Sequence, residues 1–174
     1  MASDEGPKRR SPIMRSFTLE REVERLLREE RYELAVLISQ TLLELRTEAE
    51  LAHFAKTSQE PTMGDAALAI LGTYNLANPR VQRFVEAIVG VRFRDRCPDE
   101  FTALKRHVER RNAIAHRGEQ VSAEDARASF AAVSAMTEVL HELCYLALGL
   151  EDDLEEERRQ QREEDGLLED DDWE

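Results

Sequence analysis

Between Tyr32 and Ala55 the apolar side chains Leu34, Leu37, Ile38, Leu42, Leu45 and Ala49 recur at spacings of three and four. That period restricts the fold more than any other feature of the chain. It places all six on one side of an α-helix, whereas a strand would scatter them over both faces. No segment alternates apolar and polar residues, no hairpin turn stands between two such runs, and no internal repeat is present. The expectation is an all-α chain, a helical bundle of about five helices.

Punctuation along the chain divides it further. Residues 1–17, with Pro7, Pro12 and the basic cluster Lys8, Arg9, Arg10 and Arg15, read as a flexible arm. Thr18 is a candidate N-cap for helical sequence running to about Lys56, either one helix or two with a break near Arg31. Pro61 and Gly64 interrupt, and Asp65 can cap "AALAILGTYNLA". Asn78-Pro79 opens a segment with Val81, Phe84, Val85 and Ile88 on one face, and Asp99 can cap the next, which Gly118 ends. "SAED", from Ser122 to Asp125, is a capping box for a last helix reaching about Leu148. Its apolar face is Phe130, Val133, Leu140, Leu143 and Ala147. The bundle would occupy residues 18–150, and 174 residues suffice for one domain with a real core.

Charge is unevenly distributed. Of 37 acidic and 24 basic residues, residues 151–174 hold 14 and 3, so the remaining 23 and 21 nearly cancel. The acidic tail 151–174 reads as a charged helical continuation that is otherwise largely disordered. It can serve to shield a basic cleft or to dock a partner. The body's own local field, not the total of −13, is what an anionic ligand would meet. Cys97 and Cys144 fit no metal or redox spacing and read as buried thiols. No apolar run approaches the roughly 18 residues of a membrane span, and the start lacks the apolar core of a secretory signal. A cytoplasmic protein is the simplest expectation.

The segment "DEFTALKRHVERRNAIAH" breaks its own pattern. Phe101, Leu104, Val108 and Ala115 are expected to face inward. At roughly 100° per residue, Arg111 then falls about 20° from Leu104, with Asn112 at one margin of the stripe and His116 just beyond it. Unpaired burial of such groups costs kcal/mol each, so they should meet one another, a partner chain or a ligand. Arginine offers a planar fork suited to phosphate, and histidine can carry a proton near neutral pH. The set contains no nucleophile, no metal ligands and no Gly-rich phosphate cradle. It suits a reaction whose nucleophile belongs to the substrate, such as the RNA 2′-hydroxyl.

Arg111-Asn112-Ala113-Ile114-Ala115-His116 resembles the R-x4-H motif of the HEPN superfamily, placed near the end of one helix with a Gly-containing turn and a capped helix behind it. The resemblance implies a bundle that usually dimerises, with the motifs of two subunits meeting at the interface. It implies a metal-independent endoribonuclease without a cofactor, of the kind frequent in toxin–antitoxin, phage-defence and RNA-processing systems. Arg111 would hold the scissile phosphate, His116 would handle protons and Asn112 would support their geometry. Its partners would be RNA, a second copy and an antitoxin or regulatory protein. The alternative is a non-catalytic HEPN-like module binding protein or nucleotide. Arg106, Arg110 and Arg117 share a neighbouring stripe, readable as a track for RNA backbone or as a solvated face paired with carboxylates. His107 reads as a satisfied structural histidine, and His53 and His141 have no assigned role.

Overall fold

The computed structural model describes residues 12–58 and 72–164, and among these every regular element is an α-helix. We number them α1 (Pro12–Arg28), α2 (Tyr32–Thr57), α3 (Pro79–Val89), α4 (Phe93–Arg96), α5 (Pro98–Arg117), α6 (Ala123–Leu148) and α7 (Glu151–Glu164). The helical class agrees with the spacing. The described residues alone hold seven helices against the expected five or so, because the chain does break near Arg31, a one-turn α4 precedes α5, and the tail continues as a helix.

α1 begins at Pro12, inside the arm expected over residues 1–17, so Thr18 is an interior helical residue and not a cap. Ser16, Val23 and Leu26 bury against the bundle. The chain reverses at Glu30, which takes a left-handed φ of 58°. There Arg31 N donates to Leu26 O at 2.9 Å, satisfying a carbonyl that α1 leaves open.

α2 is the central helix and packs on α1, α5 and α6. Its buried set is therefore wider than one stripe and includes Ala35, Val36, Leu42, Leu43 and Leu51. Ser39 and Thr47 are buried among them and donate to the carbonyls of Ala35 and Leu43, each at 2.8 Å, which offsets the cost of their burial. Leu34 is 38% exposed, because the neighbours of α2 cover other sides of it.

Pro61, Gly64, Asp65 and most of the helix expected after them lie outside the described residues. The end of that segment, residues 72–77, is not helical. Asn78 caps α3 as expected, its Oδ1 accepting from Arg80 N at 2.9 Å, and Val81, Val85 and Val89 face the core. Asp99 does not cap α5. That position belongs to Cys97, which makes no side-chain cap bond, and Asp99 sits in the first turn, where a carboxylate suits the helix dipole. Ser122 does cap α6, accepting from Asp125 N at 3.1 Å.

The main core joins Leu42, Leu51, Phe93, Phe101, Leu104, Met136 and Leu140 from α2, α4, α5 and α6. Both cysteines are buried, and burial pushes the Cys97 thiol up to about 11 and the Cys144 thiol to about 12, leaving them protonated and inert. α6 is long and apolar enough by composition to cross a membrane, which the sequence reading did not anticipate. Packing on α2 and α5 explains this apolarity, because a central bundle helix buries more than one face. Ala147 of its expected inward face is exposed. α7 is the charged helical continuation expected at the start of the tail: residues 151–164 are helical, with Leu154 buried against the bundle, and the remainder of the tail lies outside the described residues.

Candidate functional site

α5 turns a different face inward from the one expected. Phe101, Leu104, His107, Ala113 and Ile114 are buried, whereas Val108 is half-buried and Ala115 is exposed. The steps from Phe101 to Leu104, His107 and Ile114 are three, three and seven. They trace the seam of a helix lying nearly along its neighbours, not a straight 3.6-residue stripe. At the far end Ile114 packs with Val36 of α2 and Ala126 of α6. The premise that Arg111, Asn112 and His116 intrude on the core therefore needs correcting for two of the three: Arg111, seven residues after Leu104, stays in line with this seam, whereas Asn112 and His116 turn away from it. Arg111 and Asn112 are half-buried at its rim, and His116 is exposed in the last turn.

At that rim Arg111 Nη1 donates to Asn112 Oδ1 at 3.0 Å. A guanidinium has five donors, and Arg111 finds no carboxylate among the described residues, so most of its fork faces no protein acceptor. Asn112 and His116 are four residues apart and lie one above the other on the helix. Gly118 ends the helix with φ 62°, its N–H donating to Ile114 O at 3.0 Å, which leaves His116 in the final turn, where the dipole favours a cation. One helix end thus presents a donor fork, an amide that steadies it and an imidazole.

The neighbouring arginines are placed differently. Arg110 reaches α6, with Nη1 donating to Ser129 Oγ at 2.7 Å and Nη2 to Asp125 Oδ1 at 2.5 Å. Asp125 also accepts from the Ser122 hydroxyl, and these bonds hold its carboxyl below the usual range, the Ser122 bond most and Arg110 next. Arg117 pairs with Glu119. Arg106 is exposed. Of the three, Arg110 is a strut between helices and Arg117 carries its own counter-charge, whereas Arg106 faces solvent.

Two histidines depart from the sequence expectations: His107 is structural but not satisfied, and His141, assigned no role, lies between two carboxylates. His107 is fully buried, as expected of a structural residue, but neither ring nitrogen has a hydrogen-bond partner among the described residues. Burial foremost, then Arg110 and Arg111, push its pKa down to about 4, so it is a neutral imidazole at the base of the motif. Its place three residues after Leu104 and seven before Ile114 was the available signal. His141 of α6 lies between Glu50 of α2 and Glu157 of α7. No local pattern could have found that cluster. Among the described residues no group of three or more His, Cys, Asp or Glu could hold a metal ion.

Comparison with models of known families finds none that matches this chain, and no curated protein or solved structure is significantly similar to it.

Proposed function

We propose that this chain is a HEPN-like endoribonuclease in which Arg111, Asn112 and His116 form one half of a site completed by a second copy. One observation carries the reading: Arg111 is held by the neutral amide of Asn112 and by no carboxylate among the described residues, so its charge remains available to an anion. Other arginines of the bundle, such as Arg46 with Glu20 and Arg110 with Asp125, are already neutralised.

The chemistry that suits this set is transesterification. The RNA 2′-oxygen attacks the adjacent phosphorus, the O2′–P bond forms and the P–O5′ bond breaks. One proton leaves the 2′-hydroxyl and another reaches O5′, giving a 2′,3′-cyclic phosphate and a 5′-hydroxyl end. Arg111 stabilises charge on the non-bridging oxygens by paired donors. His116 carries one proton transfer, and the second requires a group from another copy or from solvent. Arg106, exposed and five residues before Arg111, would meet RNA backbone on a neighbouring side of the helix.

The test is cleavage of a mixed RNA pool in EDTA by wild type, Arg111→Ala and His116→Ala, with folding checked by circular dichroism and mass by light scattering. Activity in a wild-type dimer that both folded variants lose supports the reading. A wild type that cuts nothing, or variants that cut equally well, replaces it with a non-catalytic module that binds protein or nucleotide.

A further inference from the structure

α7 is attached to the bundle by little apolar surface. Among its described side chains only Leu154 is buried, and the remainder are exposed. What else holds it is polar: an ion pair between Arg158 and Glu142 of α6, and a clamp around His141. His141 Nδ1 lies 3.1 Å from Glu50 Oε1 of α2, and its Nε2 lies 3.0 Å from Glu157 Oε2 of α7. Tyr145, one turn further along α6, donates its hydroxyl to the other oxygen of Glu157 at 2.9 Å and packs its ring against His141 with centroids 4.4 Å apart.

The geometry sets the charge of the ring. A neutral imidazole has one N–H and one bare lone pair, so it can donate to one carboxylate but repels a second. With an ionised carboxylate on each nitrogen, both must carry protons. We propose that His141 is a proton-operated latch: as an imidazolium it ties α7 to α2 across α6, and loss of one proton to solvent releases α7 from the bundle.

The surroundings make the release one-sided. The clamp borders an open groove of about 820 Å³ between α1, α6 and α7. From α2, Arg46 faces this groove but is bonded to Glu20 of α1 at 2.5 Å. From α7, Arg158 is bonded to Glu142 of α6 at 2.8 Å. Glu100 of α5 and Glu138 of α6 add further negative charge. From α2 a second imidazole, His53, stacks on the Tyr145 ring with centroids 5.5 Å apart, on the tyrosine and not on Glu157. When His141 loses its proton, neither Arg46 nor Arg158 is free to take its place, and Glu157 is left facing Glu50 and this acidic wall.

The bond to Glu50 above all, with Glu157 adding to it, raises the His141 pKa above its ordinary 6.5, against the opposing effect of burial. A group whose latched pKa is raised contributes its full stabilisation below the free value and loses it as pH climbs through the latched value. The latch is therefore closed at pH 6 and opens on the alkaline side of 6.5.

Spin labels at Ala131→Cys on α6 and Gln160→Cys on α7 in the full chain report the separation, because both sites are exposed and the native cysteines are buried. The expected result is one narrow distance distribution at pH 6, longer and broader at pH 9, with a midpoint above 6.5. His141→Gln should give the long distribution at both pH values. Glu157→Gln, which alters only an exposed position of α7, should raise the released population at pH 6 and move the midpoint down. A wild-type distance that does not change with pH, a transition that survives His141→Gln, or an unaltered midpoint in Glu157→Gln would overturn the latch.

Discussion

Arg110 Nη2 stands 2.5 Å from Asp125 Oδ1, joining the last turns of α5 to the first turn of α6. The next residue, Arg111, ends on an amide instead. Two adjacent arginines thus divide into a strut and a free fork, and the difference can be measured.

Arg110→Met should cost about 1–2 kcal/mol of stability, mainly by stranding the buried Ser129 hydroxyl that Arg110 Nη1 serves. The bond to the exposed Asp125 carboxylate adds little beyond that. Arg111→Met should stay within about 0.5 kcal/mol of wild type, as for a position without such a partner. Urea midpoints compare the two, and equal losses would contradict the division of roles.

If the chain is a ribonuclease, Arg111→Lys should be far from conservative. Lysine keeps the charge but not the planar fork, so turnover should fall while folding is unaffected. His116→Ala should lower the rate by about 10²–10⁴, the usual range for a lost proton carrier. Single-turnover cleavage of one defined RNA checks both, and equal rates for Arg111→Lys and wild type would remove the bidentate contact from the mechanism.

His107 should make the fold sensitive to mild acid. In the unfolded chain this imidazole takes a proton near 6.5, whereas in the fold it does so only near 4. Between those values the unfolded state binds more protons, so stability declines as pH falls through the window, by about 3 kcal/mol in all. His107→Leu, of similar volume, should remove that part of the decline. It should also be as stable as wild type or more so at pH 7, because no unpaired polar group remains buried. Denaturation at pH 7, 5.5 and 4.5 tests this, and parallel curves for the two proteins would refute it.

Gly118 takes φ 62° immediately after α5, with open space where a Cβ would stand. Gly118→Ala should therefore cost about 1 kcal/mol through backbone strain alone, and Gly118→Asn less, because asparagine tolerates the left-handed region better. Thermal unfolding of both variants provides the comparison. Equal losses for Ala and Asn would point to a cause other than φ.

Local signals were legible where the chemistry is local. Asn78 caps α3 because its side chain needs only an N–H two residues on, and Ser122 needs only one three residues on. Thr18 and Asp99 show the limit of such reasoning. Each is a good cap by type, but α1 already runs from Pro12, and α5 begins just after Cys97. The motif Arg111-Asn112-His116 was visible as a set, but its burial was misjudged. A wheel centred on Phe101, Leu104, Val108 and Ala115 set the three against the core, whereas the helix turns His107 inward, which keeps Arg111 in line with the seam, half-buried, and carries Asn112 and His116 away from it.

By itself the sequence determined that the chain is helical, where it turns near Gly118 and Ser122, and which residues gather at the end of α5, while near Arg31 it left one helix or two open. Those outcomes depend on spacing, caps and positive φ, all of which act within one or two turns. Only the tertiary structure decided which face of α5 is buried, that Arg110 is committed to α6 while Arg111 is not, and that His141 meets Glu50 and Glu157. A helix's rotation about its axis is set by the helices that flank it. The His141 contacts join residues 91 and 16 positions apart, a separation that no local pattern encodes.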